Sequence, residues 1–247
     1  MPIKPVFDLH THTMASGHAY STLLENLTEA KHKGLLAMGT SDHSPGMIHT
    51  THKAFFENYK ILPRTFEGVR LLRGMEANII DYEGTVDGGL VMKDLDYVIA
   101  SLHTPCIKSG SVEDNTRAII GAMKNPWVKI IGHPDDARYP IDIEKVVQAA
   151  VHYGVALELN NSSLRPNCTR KNGIVLERLL AGTIMKYRAK AVMGSDAHVW
   201  CDIGNFTECI AMLEEMHFPE ELLLNQSVDG LDVLLEKRHI EDTVSLF

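Results

Sequence analysis

The chain is expected to be an α/β protein, a distorted seven-stranded (β/α)7 TIM-like barrel with parallel strands. Three observations predict it. Short apolar runs alternate with longer amphipathic ones, the pattern of βα units around a parallel sheet. Several short runs are apolar on both faces, as in Gly34 to Gly39 and Val155 to Leu159, which suits strands buried between outer helices and a packed interior. With 247 residues and 45% hydrophobic content, a large core is within reach, so one domain over residues 1–247 is the economical expectation.

Taken in order, the expected strands run from Val6 to His10, Leu35 to Ser41, Arg70 to Ala77, Tyr97 to Leu102, Lys129 to Gly132, Val155 to Asn160 and Ala191 to Ser195. The first helix begins at Ser21-Thr22, residues that cap helices, and stops at Gly34 with basic residues in its last turn. A later helix repeats the plan over Ile141 to Tyr153, with Asp142 as its N-cap and Gly154 as its stop. Others are expected near 112–124, 173–187, 206–216 and 229–238. The stretch from Asp81 to Gly89 reads as a turn or small hairpin, since no Gly-Lys-[Ser/Thr] follows to make a phosphate loop.

Composition narrows the function. A net charge of −8 argues against a broad cationic surface for nucleic acid. No run approaches the length of a membrane span and none reads as an export signal, so a cytoplasmic protein is expected, with no membrane partner. Cys106, Cys168, Cys201 and Cys209 show no paired spacing and read as reduced thiols. The 13 histidines are numerous and dispersed, so each position matters.

The stretch Phe7-Asp8-Leu9-His10-Thr11-His12-Thr13 places two imidazoles at i and i+2, on one face of a strand and close enough to grip one ion. Alone it is weak evidence. Its weight comes from the other strand ends: Ser41-Asp42-His43, Gly74-Met75-Glu76, Ser101-Leu102-His103, Gly132-His133-Pro134 and Ser195-Asp196-Ala197-His198. In a (β/α) barrel these ends share the face that carries function. With His18 from the loop after the first strand, nine groups result: His10, His12, His18, His43, Glu76, His103, His133, Asp196 and His198. Nine donors are too many for one ion and imply two or three divalent cations. Imidazole and carboxylate without thiolate suit Zn2+, Mn2+ or Fe2+ and do not choose among them; Zn2+ is the expected ion. Three such ions, at about +6 against two carboxylates, would make an anion-seeking pocket.

Those runs, in that order and over essentially the whole chain, resemble the motifs of the polymerase and histidinol phosphatase (PHP) family, nearest to its small single-domain bacterial phosphatases. The resemblance implies the seven-stranded barrel and three metal positions. His10, His12, Glu76 and Asp196 would hold the first, Glu76, His103 and His133 the second, and His18, His43 and His198 the third. It also implies hydrolysis of a small phosphate monoester, with Glu76, Asp196 and His198 nearest the chemistry. A metal-bridging hydroxide would then be the nucleophile, since such ions acidify water and clamp both oxygens of an in-line displacement.

Other polar groups carry open readings. Asp8 shares strand parity with His10 and could orient its imidazole. Arg165 and Arg170, after the sixth strand, could bind a phosphate bidentately. Asp135, Asp136, His49 and His52 could serve the leaving group, though solvated loops account for each. Cys106 reads as a bystander, and the cluster Lys186, Arg188 and Lys190 as cations at a helix end. The rival functions are an amidohydrolase-type C–N hydrolase, a 3′–5′ exonuclease and a metal store. The first is disfavoured because the fourth strand ends in His103 where a bridging Lys would be expected, and the second by charge. Helical outer faces leave an oligomer open.

Overall fold

The computed structural model describes residues 3–170 and 172–237. Its strands are β1 (Phe7–Asp8), β2 (Ala37–Thr40), β3 (Thr65–Phe66), β4 (Val69–Arg73), β5 (Glu76–Asn78), β6 (Val98–Ser101), β7 (Val128–Ile131), β8 (Ala156–Asn160) and β9 (Ala191–Gly194). Its α-helices are α1 (Leu23–His32), α2 (Lys53–Glu57), α3 (Val112–Met123), α4 (Ile143–Tyr153), α5 (Gly173–Tyr187), α6 (Thr207–Glu215) and α7 (Val228–Leu235). The end of the last expected helix, at 238, lies outside the described residues.

The helix boundaries follow their caps. Thr22 and Glu25 satisfy each other's backbone N–H groups at the start of α1, and Ser111 and Asp114 do so at the start of α3. Asp142 accepts from Lys145 N–H at the start of α4, whose end is set by Gly154 at φ 63°, a left-handed conformation that costs glycine nothing.

The sheet departs from the expected closed ring of seven strands. Among the described residues the strands form two sheets, ordered β1-β2-β4-β3 and β5-β6-β7-β8-β9, with every pairing parallel except β3 with β4. The run expected as one strand from Arg70 to Ala77 breaks after Arg73, so β4 and β5 belong to different sheets. Among the described residues, isolated bridges at His43 with Glu76 and Thr11 with Ala197 join one sheet to the other.

A buried tyrosine occupies the interior at that break. Tyr97 donates its hydroxyl to Leu9 O at 2.6 Å, and a Cβ added at Gly39 or Gly74 would lie 1.9 or 2.2 Å from the same side chain. Glycine at both positions lets two backbones close on the ring. Around it Phe7, Leu9, Leu72, Ile99, Ile130 and Val192 fill the interior, while a larger cluster packs the outer face of β5 to β9 under α3 to α6. Each such side chain contributes roughly 1.5–3 kcal/mol by leaving water. The α5 face bearing Ile174, Val175 and Leu179 is exposed. No helix among the described residues is long and apolar enough to cross a membrane.

Candidate metal centre

The C-terminal ends of the parallel strands bring all nine candidate groups into one contiguous cluster. Glu76, fully buried, lies at its centre. Its Oε1 is 3.0 Å from His133 Nε2, 3.1 Å from His103 Nε2 and 3.4 Å from His10 Nε2. Its Oε2 is 2.8 Å from His43 Nδ1 and 3.5 Å from His12 Nε2. Asp196 Oδ1 stands opposite, 3.6 Å from His10 Nε2, 3.4 Å from His12 Nε2 and 3.5 Å from His198 Nδ1. His18 joins through its ring, 5.0 Å from that of His43 and 4.8 Å from that of His198. Two of these residues hold backbone that side chains other than glycine rarely adopt, His133 at φ 30° and Asp196 at φ 53°. Such strain collects where a side chain must be aimed.

The outer hydrogen bonds show which way the imidazoles face. Glu158 Oε1 accepts from His10 Nδ1–H at 2.6 Å, and its Oε2 accepts from His133 N–H at 2.7 Å. Ser16 Oγ donates to Asp42 Oδ1 at 2.7 Å, so it receives the Nδ1–H of His12 at 3.0 Å. Asn78 Nδ2 points at Asp87 Oδ2, 2.9 Å away, which leaves Asn78 Oδ1 to accept from His103 Nδ1–H at 2.7 Å. In each case a buried or half-buried carboxylate fixes the proton on Nδ1 and turns Nε2 toward Glu76. A Cβ at Gly194 would lie 1.8 Å from Glu158 Oε1, so β9 must pass this carboxylate as glycine.

These atoms fit divalent cations. His10 Nε2, His12 Nε2, His43 Nδ1 and Glu76 Oε2 are buried without a hydrogen-bond partner, a costly state for polar atoms that a cation would relieve. Three triads already have ligand atoms within 4.8 Å of one another: His12, His43 and His198; His10, His12 and Glu76; His43, Glu76 and His103. The second triad falls within the first metal position that the family resemblance implies, while the other two cut across its partition.

Electrostatics agrees. Burial alone would raise the Glu76 carboxyl, yet His103, His10 and His43 hold it well below the usual carboxylate range. Asp196 is likewise driven well down, against burial, by the Arg170 guanidinium and His10. Burial, with His198 and His43 nearby, keeps His12 well below an ordinary imidazole. His10 goes the other way: burial opposes charge, but Glu158, Glu76 and Asp196 raise it well above the ordinary value. A cation taken up at Nε2 would therefore displace a proton.

The cluster opens into a cavity of about 600 Å3, lined also by Arg138, Arg165 and Arg170. Arg170 donates from Nη2 to Asp196 Oδ2 at 2.6 Å, while Arg165 grips Asp202 with two bonds of 2.7 and 2.9 Å.

Some expectations change. Asp8 does not orient the His10 ring; it accepts backbone N–H groups of His10, Ser195 and Gly204, and Glu158 takes the imidazole. Asp135 and Asp136 are buried rather than solvated, and Asp136 is held there by the Arg138 guanidinium. His49 lines the cavity and His52 a separate hollow beside α2. The Cys106 thiol is pushed up to about 11 by burial, which suits a bystander. Glu158, Asp42, Ser16, Asn78, Asp87 and Arg138 were not anticipated. Of these, Glu158 left a signal that could have found it, as a lone acid in the apolar run Leu157-Glu158-Leu159.

A PHP domain model matches residues 8–162. A probable phosphatase of Caldanaerobacter subterraneus subsp. tengcongensis is 46% identical over 240 residues, covering 96% of this chain and 94% of that one. One from Clostridium novyi is 45% identical over 244 residues, covering 96% of each. Among solved structures, histidinol phosphate phosphatase from Lactococcus lactis, complexed with Zn, L-histidinol and phosphate, superposes with a TM-score of 0.60 at 18% identity. That match covers 87% of this chain and 95% of the other, a shared fold. With its cluster of metal-binding type and these relatives, the chain belongs to the PHP family of phosphatases and is a hydrolase.

Proposed function

We propose that the chain is a phosphomonoesterase whose site holds three divalent ions. Its donors would divide as His10, His12, Glu76 and Asp196; Glu76, His103 and His133; and His18, His43 and His198. The observation that carries this reading is the convergence of Nε2 atoms, their protons fixed on the far nitrogen, upon Glu76 and Asp196. When bound, the ions supply an acidified water and positive charge against the phosphoryl oxygens.

The chain's own residues do the rest. Glu76 has one oxygen beside His10, His103 and His133 and the other beside His12 and His43, so it would serve in two of the ion positions. Arg170, restrained by Asn160 and Ser163 at 3.2 Å each, presents Nη2 beside Asp196 and can grip a phosphoryl oxygen. Arg165, held by Asp202, lines the same cavity and can take another. Zn2+ is the expected ion, and a small phosphorylated molecule the expected substrate.

The test is elemental analysis of purified protein joined to phosphate release from p-nitrophenyl phosphate. Glu76→Ala and His103→Ala should each lose metal and at least about a hundredfold in kcat/KM while the fold persists by circular dichroism. Full activity in either variant, or hydrolysis of simple amides without phosphate esters, would overturn the proposal.

A further inference from the structure

We propose that the substrate's leaving group carries a second anion, received by Arg138. This rests on the phosphatase reading and narrows it. The cavity, at about 600 Å3, is large enough to enclose a small molecule, not merely a phosphoryl group. Three guanidiniums line it, and their partners distinguish them. Arg170 stands beside Asp196, where the phosphoryl group would lie; its Nη atoms donate to Asp196, Asn160 and Ser163, and its Nε is buried. Arg165 is matched by Asp202, which itself lines the cavity and offsets the charge a ligand would meet.

Arg138 differs. Its Nε donates to Asp136 Oδ1 and Oδ2 at 3.0 and 2.9 Å, and its Nη2 to Oδ2 at 2.6 Å. Asp136 is 4% exposed and lies behind the wall, beside a separate small hollow, while Arg138 faces the cavity. The carboxylate therefore braces the guanidinium from the rear, and no hydrogen bond among the described residues occupies Nη1. A braced guanidinium with free N–H groups suits a carboxylate or phosphate, because little side-chain freedom remains to be lost on binding. Thr104, Asn167 and Thr169 line the same cavity with hydrogen-bonding groups, and an ammonium beside Arg138 would meet like charge.

Phosphate release by metal-loaded protein should be compared within matched substrates. One series is 3-phosphoglycerate, glycerol 3-phosphate and phosphoethanolamine; a longer pair is fructose 1,6-bisphosphate and fructose 1-phosphate. For at least one set, kcat/KM should favour the second anion by about tenfold to a hundredfold, the worth of one charge-assisted hydrogen bond. The ratio should fall to near one in Arg138→Gln and be partly kept in Arg138→Lys. Being a ratio within one protein, it is insensitive to lost metal or partial unfolding.

No preference in either set, or an unchanged ratio in Arg138→Gln, overturns the subsite. If no phosphate is released from any ester, the phosphatase reading itself fails. Calorimetric titration with phosphonoacetate against ethylphosphonate then decides the subsite by binding: equal affinity overturns it, and a phosphonoacetate preference lost in Arg138→Gln supports it.

Discussion

Asn78 has one stable orientation because Asp87 can only accept. One carboxylate oxygen takes the amide Nδ2–H, at 2.9 Å, and also Gly46 N–H at 2.8 Å. The other takes Asn78 N–H at 2.9 Å and the Ser44 hydroxyl. His103 therefore depends on a residue it never touches. Asp87→Asn places a donor where an acceptor is needed and frees the Asn78 amide to turn. The expected result is a tenfold to hundredfold weaker metal affinity at the His103 position, about the usual cost of losing such support, with the overall fold kept. Titration calorimetry would read the affinity and 15N NMR the His103 tautomer; unaltered values in both would refute the role. Residue types at strand ends were legible because imidazoles and acids stand out against apolar runs. Asp87 was not, since its loop reads as an ordinary Asp-Gly-Gly turn and its partners lie at Ser44, Gly46 and Asn78.

Helices were the most legible elements, because caps such as Thr22 with Glu25 and Asp142 with Gly154 are written within a few residues. The broken third strand was not. Arg70 to Ala77 is a continuous strand-like run, and only the ring of Tyr97, twenty residues and more along the chain, shows why Gly74 sits at a break. Helix α5 hides a second long-range feature. Glu177 on its inner face is fully buried, and burial beside Asp135 and Glu158 raises it well above the usual range. A carboxyl raised in the fold binds its proton more tightly there than in the unfolded chain. Its contribution to stability is thus lost as pH climbs from about 4.5 through the raised folded value. Glu177→Gln carries no such charge. It should match wild type near pH 5 and exceed it by roughly 1–3 kcal/mol once Glu177 is forced to ionise. Urea unfolding across pH 5 to 9 would read this, and a gap that does not widen with pH would refute it.

At the scale of the whole molecule, parallel strands and one active rim followed from the alternation of apolar runs, but the ring's closure did not. Closure depends on backbone pairing at positions where the sequence spends its residues on polar side chains. The bridges between the two sheets fall at His43 with Glu76 and at Thr11, flanked by His10 and His12, with Ala197, flanked by Asp196 and His198. Removing metal with a chelator should lower the melting temperature, and excess Zn2+ should restore it; at a hundredfold excess over the dissociation constant, one site contributes about 2.7 kcal/mol. An unchanged melting temperature would contradict this coupling. The two half-shells thus meet along joints of a few main-chain hydrogen bonds each, flanked by imidazoles and carboxylates drawn from both sides. Ions seated there would rivet the shells together, so a cell short of metal would hold a looser vessel as well as an idle one.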